Sequence, residues 1–503
     1  MIRRFSDRRP ASNFDLGYAL LVLVVALGSV LRFWMIGTDF HFMGDEGRES
    51  AAEWSLIHGK LPLLGPSLSI GHTLHLGPLF YYLEAIPMWL SNGSPVGPTI
   101  LVGIFGVAAT VMLFLYLKAP LGSLPAGGAA LVMAASFLMV EYSRRPWNPT
   151  ITPFFTLALL WALVSWKRGR TESILVVAAS LACLVQLQPV NLFVIPVALV
   201  FILWARPPRP SAALLCGAVI IFVVISSPLL IYDGTHNLAN LKAWLAVLIH
   251  GKSNAPSRGA SSLKLLFNLF YRALSVPNVP LTVVLTVCLG AAGLAVSGLR
   301  SLSGEANWEV RLAMLLLVVA AVGFEIYRKQ VFEQYMVCLF VIPFVLLGAL
   351  LWLVGRYRAG KAVGVILVAA LVVVGTRQTW TYSFVTPKST VADAAITRND
   401  LQPDDTYGHV LRVDRKIVSR SKGRPFELRM ASYLNYPAGY HYVLSRLGHP
   451  PVSKAGTVFL IVEPGSWPRR KWPKATQKVV ARADRFQTIG LIKLYEIPIR
   501  RQK

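Results

Sequence analysis

Residues 16–59 read LGYALLVLVVALGSVLRFWMIGTDFHFMGDEGRESAAEWSLIHG, and the change of chemistry at Gly37 decides the fold. Leu16 to Ile36 is an apolar run of the length a helix needs to cross hydrocarbon, roughly 17 to 25 residues. It follows the basic segment Met1-Ile-Arg-Arg-Phe-Ser-Asp-Arg-Arg9, is longer than a secretory signal core and lacks a small-residue cleavage site, so it is expected to stay as the first spanning helix. The stretch after it changes character: Asp39, Asp45, Glu46, Glu49 and Glu53 crowd into it in a chain whose formal net charge is +26.

Working outward, apolar runs recur as far as about residue 375 and predict about eleven crossings, centred near residues 26, 106, 131, 158, 180, 197, 221, 289, 318, 344 and 368. The pair near 180 and 197 is split only by Gln186 to Asn191. With 54% hydrophobic and 15% charged residues over 503 positions, the chain is too apolar for an ordinary soluble enzyme. Lys118, Lys167/Arg168/Arg170, Arg206/Arg209, Arg300/Arg311 and Arg356/Arg358/Lys361 mark short basic loops, which the positive-inside rule assigns to the cytoplasm together with the N-terminus. Loops 37–95, 141–149, 232–280 and 325–335 then face outward. The expected architecture is an all-α polytopic membrane domain over residues 1–375 and a small extracytoplasmic α/β domain over 376–503. Phe426–Met430, Val458–Val462 and Leu491–Ile497 read as strands of that second domain, and Ala438–Leu447 as a helix.

Several classes of function are excluded. Cys183, Cys216, Cys288 and Cys338 all fall in apolar spans, so neither a disulfide framework nor a cysteine metal site is implied. The positive charge sits at loop ends and in the C-terminal segment without a nucleic-acid module, so anionic lipid headgroups are its counter-charge and no nucleic-acid partner is expected. Neither a P-loop nor a Rossmann glycine turn is present, so no nucleotide cofactor is expected.

Three stretches carry polar chemistry on the expected outer side. In residues 41–59, Asp45, Glu49 and Glu53 recur at i and i+4, so a short helix would bring them to one side, with Trp54 and Ile57 at the membrane interface. Equally, Asp45 would cap that helix while Glu46 and Glu49 complement its dipole. In the second, His75-Leu-Gly-Pro-Leu-Phe-Tyr81-Tyr82-Leu-Glu84, Gly and Pro precede an aromatic amphipathic turn suited to an interfacial helix or an aromatic belt. In the third, Glu141-Tyr-Ser-Arg144-Arg145-Pro-Trp-Asn148-Pro149, paired arginines anchor to headgroups or hold a phosphate through charge-assisted bonds.

In this order the three stretches resemble the GT-C superfamily of membrane glycosyltransferases, which includes the protein O-mannosyltransferases (dolichyl-phosphate-mannose-protein mannosyltransferase-like enzymes) and the lipid A aminoarabinose transferases. The resemblance rests on Asp45-Glu46 after the first helix, on His75 to Tyr82 with Gly77 departing from the family's first proline, and on Tyr142-Ser143-Arg144. Gln186-Leu-Gln188-Pro189 and Phe332-Glu333-Gln334-Tyr335 extend it over roughly the first 350 residues. Where members often place an Asp a few residues after the arginine, this chain has Trp147-Asn148-Pro149, which leaves the acceptor class more open than the donor class.

The resemblance implies an inverting transfer of a sugar from a polyprenyl-phosphate donor to an acceptor hydroxyl of a protein, lipid or glycan at the outer face of a plasma (inner) membrane. Asp45 is then the general base, with Glu46 beside it, and Arg144, Arg145, Arg328 and Lys329 are candidates for the donor phosphate. His75, Tyr81, Tyr82, Glu84, Asn148 and Tyr335 are candidate substrate contacts. A divalent cation, Mg²⁺, Mn²⁺ or Zn²⁺, is left open, with Glu46, Glu84, His75 and His236 as candidate ligands. The competing readings are a transporter or lipid-linked-sugar flippase, which would place ionisable residues in mid-span, and a noncatalytic membrane scaffold.

Overall fold

A computed structural model describes residues 12–68, 71–250, 262–276, 278–298, 308–327, 333–385, 406–431, 436–462, 485–490 and 492–498. The chain begins with α1 (Ser12–Phe33), whose apolar surface is broken near its end by Arg32. It then rises into a head built of α2 (Gly44–Ile57), a two-stranded hairpin of β1 (Ser67–Leu68) and β2 (Gly71–His75), and α3 (Leu79–Leu90). A helical bundle follows: α4 (Val96–Leu121), α5 (Ser123–Ala135), the short α6 (Phe137–Tyr142), α7 (Thr152–Lys167), α8 (Ser173–Leu187), α9 (Val194–Ala205) and α10 (Ala212–Thr235). After α11 (Ala239–His250) and the amphipathic α12 (Ser262–Leu274), it is completed by α13 (Val279–Gly298), α14 (Trp308–Tyr327), α15 (Ile342–Val354) and α16 (Arg358–Thr379).

An apolar helix stands at every expected centre, but length separates them. Among the described residues, six helices are long and apolar enough to cross a membrane, or seven if the bent pair Glu333–Leu339 and Ile342–Val354 is one span. Ser123–Ala135, Ser173–Leu187 and Pro189–Ala205 are shorter, and α14 carries Glu309, Arg311 and Glu325. The eleven expected crossings thus correspond to eleven apolar helices of unequal length. The Gln186–Asn191 break is where it was expected, with α8 ending at Leu187 and a 3₁₀ turn over Pro189–Phe193 leading into α9.

The C-terminal unit contains α17 (Tyr407–Ser421), β3 (Glu427–Ala431), α18 (Ala438–Arg446), β4 (Thr457–Val462), β5 (Arg485–Ile489) and β6 (Ile492–Pro498). Its sheet runs β3-β4-β6-β5, parallel between β3 and β4 and antiparallel elsewhere, with Leu428 opposite Phe459 and Leu460 opposite Tyr495. The three expected strands and the helix are all present within a residue or two, and α17 and β5 are additions.

This unit shares one core with the head. Phe40, Phe42, Met43 and Met88 pack with Tyr407, Val410, Tyr440, Val443 and Phe459 in a single buried cluster. Trp54 and Ile57, expected at the membrane interface, pack against that cluster instead. The contact is tight enough to dictate sequence: a Cβ on Gly47 would stand 2.2 Å from the backbone nitrogen of Gly439. Helix α2 is therefore packed against α3 on one hand and α18 on the other.

Candidate active site

Helix α2 begins in a way that fixes each of its acidic residues differently. Glu46, at its third position, accepts the Met43 backbone N–H at 3.1 Å, lies 3.1 Å from His41 Nδ1 and is ion-paired with Arg145. Burial alone would raise this carboxyl, but the Arg145 guanidinium and then His41 hold it well below the usual carboxylate range. Glu46 thus caps the helix and orients Arg145, whose guanidinium also stacks 4.2 Å from the Trp147 ring centre.

Glu49 and Glu53 turn inward and are fully buried, whereas Asp45 remains about one-third exposed (34%). The three follow one side of the helix at i, i+4 and i+8, as expected, but burial increases along it, with α3 and α18 packed on α2. Burial pushes Glu49 up to about 7 against the opposing pull of Arg48. Glu53 lies beside Glu84 of α3, and desolvation raises both carboxyls well above the ordinary range. Tyr81 lies on Glu49, where burial first and that carboxylate second keep its phenol protonated.

Asp45, the most exposed of the three, lines a cavity of about 250 Å³. Its walls are apolar, with Leu74 and Leu76 from the hairpin, Phe193 before α9 and Phe324 of α14. Its polar groups include Asp45, Arg48, Asn148, Gln188, Gln334 and Tyr335. A mostly apolar chamber with a few convergent polar groups is the usual form of a small-molecule site. Arg48 Nη1 stands 3.0 Å from Asp45 Oδ1 while its Nη2 donates to Glu49 at 2.7 Å, so a carboxylate and a guanidinium share the cavity mouth.

Of the residues expected from sequence, the structure brings Asp45, Asn148 and Tyr335 to this cavity. The others among the described residues do not line it. Arg144 is buried, and its guanidinium donates to the carbonyls of Arg32 (2.7 Å), Trp34 (2.8 Å) and Asp39, where α1 ends, with the Phe384 ring 4.9 Å away. It satisfies the orphan acceptors of a helix terminus. Tyr82 donates to the Pro62 carbonyl at 2.6 Å, and the His75 ring lies 3.0 Å from the Gly65 carbonyl. His236 is exposed and stacks on Tyr232. Arg328 and Lys329 lie outside the described residues.

The candidate metal ligands are not gathered. Glu46 is committed to Arg145 and His41, Glu84 to Glu53, and His75 and His236 to separate backbone carbonyls. Among the described residues, no group of three His, Cys, Asp or Glu side chains is arranged to hold a metal ion. These four side chains do not form a donor set for a divalent cation.

Sequence reasoning did not single out Arg48, Gln188 or Gln334 as site residues. A signal existed for Arg48, which follows Asp45 at i+3 and so projects beside it on a helix.

The apolar helices, the head of short helices after α1 and the small sheet unit near the C-terminus together form a fold shared with solved structures of other proteins. ArnT from Cupriavidus metallidurans bound to undecaprenyl phosphate superposes with a TM-score of 0.60, covering 97% of this chain and 98% of that one at 11% identity. The same protein in its apo state gives 0.58 at 13% identity, over 95% and 98% of the two chains. Archaeoglobus fulgidus oligosaccharyltransferase gives 0.48 at 12% identity, over 88% of this chain and 64% of the other. By sequence, no family model and no curated protein matches the chain.

Proposed function

We propose that the protein is a glycosyltransferase that moves a sugar, with inversion, from a polyprenyl-phosphate donor to an acceptor hydroxyl on a protein, lipid or glycan. The observation that carries this reading is the Asp45–Arg48 pair at the mouth of an apolar-walled cavity. It is supported by a fold shared over nearly the full length with a protein whose structure holds undecaprenyl phosphate.

In this reading the apolar walls take the start of the lipid chain, Arg48 meets the phosphate, and Asn148, Gln188 and Gln334 offer amides to the sugar. The acceptor oxygen attacks the anomeric carbon as its proton passes to Asp45. The bond from that carbon to the phosphate oxygen breaks, and its electron pair leaves on the lipid phosphate, where the guanidinium stabilises the new charge. Asp45 suits the base because only its Oδ1 is engaged among the described residues, leaving Oδ2 for the proton. Glu46 suits it less, being buried against a guanidinium.

The proposed placement is a plasma membrane, with the N-terminus cytoplasmic and residues 376–503 forming an extracytoplasmic domain above the site. Arg144 supports the end of α1, and the phosphate role passes to Arg48 with Arg145 nearby. Native mass spectrometry of the detergent-solubilised protein with undecaprenyl phosphate tests the assignment. Wild type should retain the lipid, and Arg48→Ala should weaken binding about tenfold or more, as expected for loss of a charge-assisted contact. Equal retention by both proteins would remove Arg48 from the site, and no retention by wild type would count against the lipid-phosphate donor.

A further inference from the structure

Asp45 is held from across the whole length of the chain. The Tyr436 hydroxyl, just before α18, donates to Asp45 Oδ1 at 2.8 Å. Arg48 Nη1 donates to the oxygen of the same hydroxyl at 3.2 Å and stands 3.0 Å from the same Oδ1. Carboxylate, phenol and guanidinium therefore form a closed ring of contacts. The phenol is a dependable donor, since burial and then Asp45 itself keep it protonated far above the ordinary tyrosine range.

The ring of Tyr436 has a seat made for it. It lies against Gly44, where a Cβ would stand 2.5 Å from Tyr436 Cε1. Any side chain at Gly44 would displace the hydroxyl from Asp45. Tyr436 also stands at a boundary: it lines a groove of about 790 Å³ between α2 and α18, while Asp45 lines the apolar-walled cavity and Arg48 borders both.

We propose that Tyr436 is a positioning residue for the transfer, its hydroxyl fixing Asp45 through Oδ1 so that Oδ2 is presented to the acceptor hydroxyl. The inference rests on Asp45 being the base. Tyr436 keeps its own proton throughout: the acceptor proton goes to Oδ2, and the electron pair of the broken carbon–oxygen bond goes to the lipid phosphate. The C-terminal unit thereby becomes part of the catalytic apparatus, since its docking on α2 delivers the hydroxyl.

The test uses the full chain in lipid nanodiscs, a panel of synthetic polyprenyl-phosphate sugars as donor and a membrane extract as acceptor, with release of polyprenyl phosphate as the readout. Tyr436→Phe keeps the ring on Gly44 and removes only the hydroxyl. Loss of a hydrogen bond to a charged group predicts a kcat lower by about tenfold or more, with the donor KM within about twofold. A purely structural role predicts that Phe restores what Tyr436→Ala loses. Tyr436→Phe with kcat near wild type, or with its loss confined to KM, overturns the proposal. Asp45→Asn run in parallel separates the two levels: if it turns over like wild type, the assignment of the base fails and this inference with it. If Asp45→Asn is inactive while Tyr436→Phe is normal, only the positioning role fails.

Discussion

The buried Glu53–Glu84 pair makes stability depend on pH in a direction opposite to that of an ordinary salt-bridged carboxylate. Both side chains are fully buried and desolvation raises both, so in the folded protein the pair holds at least one proton at neutral pH. In the unfolded chain each carboxyl returns to the ordinary value of 4.5 and releases it. A folded value raised above the unfolded one contributes stability that is complete below the unfolded value and is lost as pH rises toward the folded one. The protein should therefore become less stable from about pH 5 upward, by about 1.4 kcal/mol per pH unit for one retained proton. An unfolding entropy of about 2.1 cal/mol/K per residue gives roughly 1 kcal/mol/K for a chain of this length, so the midpoint should fall by about 1 to 2 °C per pH unit. Glu49 and Asp414, also buried and raised, add slopes of the same sign, so the informative quantity is a difference. Thermal unfolding in detergent, followed by tryptophan fluorescence across this range, should show the double variant Glu53→Gln/Glu84→Gln losing about that slope relative to wild type. An unchanged slope in the double variant would refute the retained proton.

Gly47→Ala forces a methyl group into the Gly439 backbone and should undock the C-terminal unit, costing about 1–3 kcal/mol and exposing residues 436–462 to limited proteolysis. Arg272, at the end of α12, donates to Glu333 at 2.5 and 2.6 Å and to Glu141 at 2.7 Å, joining α6 to the turn before α15. Arg272→Ala leaves two nearly buried carboxylates without that guanidinium and should destabilise the bundle by about 3–5 kcal/mol, read as a lower unfolding midpoint, whereas Glu333→Gln should cost less. Arg144→Ala should lower folded yield and unfolding midpoint while the folded fraction keeps its affinity for undecaprenyl phosphate; weaker lipid binding at unchanged stability would return Arg144 to the phosphate.

What was legible in the sequence follows from what each signal depends on. Helix centres and the α8–α9 break were legible because hydropathy and proline act locally, and β3, β4 and β6 were legible because alternation and β-branched residues do too. The acidic loop stood out in a basic chain and the family resemblance picked Asp45 from it, yet the separation of its role from that of Glu46 depends on Arg145, 99 residues away. The division of the acidic helix into an open residue and two buried ones depends on α3 and α18, and no periodicity within residues 44–57 encodes those partners. Arg144 and Arg145 read alike as adjacent arginines, but one closes the end of α1 and the other pairs with Glu46. Tyr436 lay beyond local reasoning altogether, since its contact with Asp45 spans 391 residues.

The central claim is that Asp45 acts on a lipid-linked donor. Its most direct test is release of polyprenyl phosphate from synthetic polyprenyl-phosphate sugars by purified protein in nanodiscs with a membrane extract as acceptor, comparing wild type with Asp45→Asn of equal unfolding midpoint. The account predicts turnover by wild type and a loss of about 100-fold or more in the variant, the scale of a general base. Equal turnover by the two proteins would contradict it.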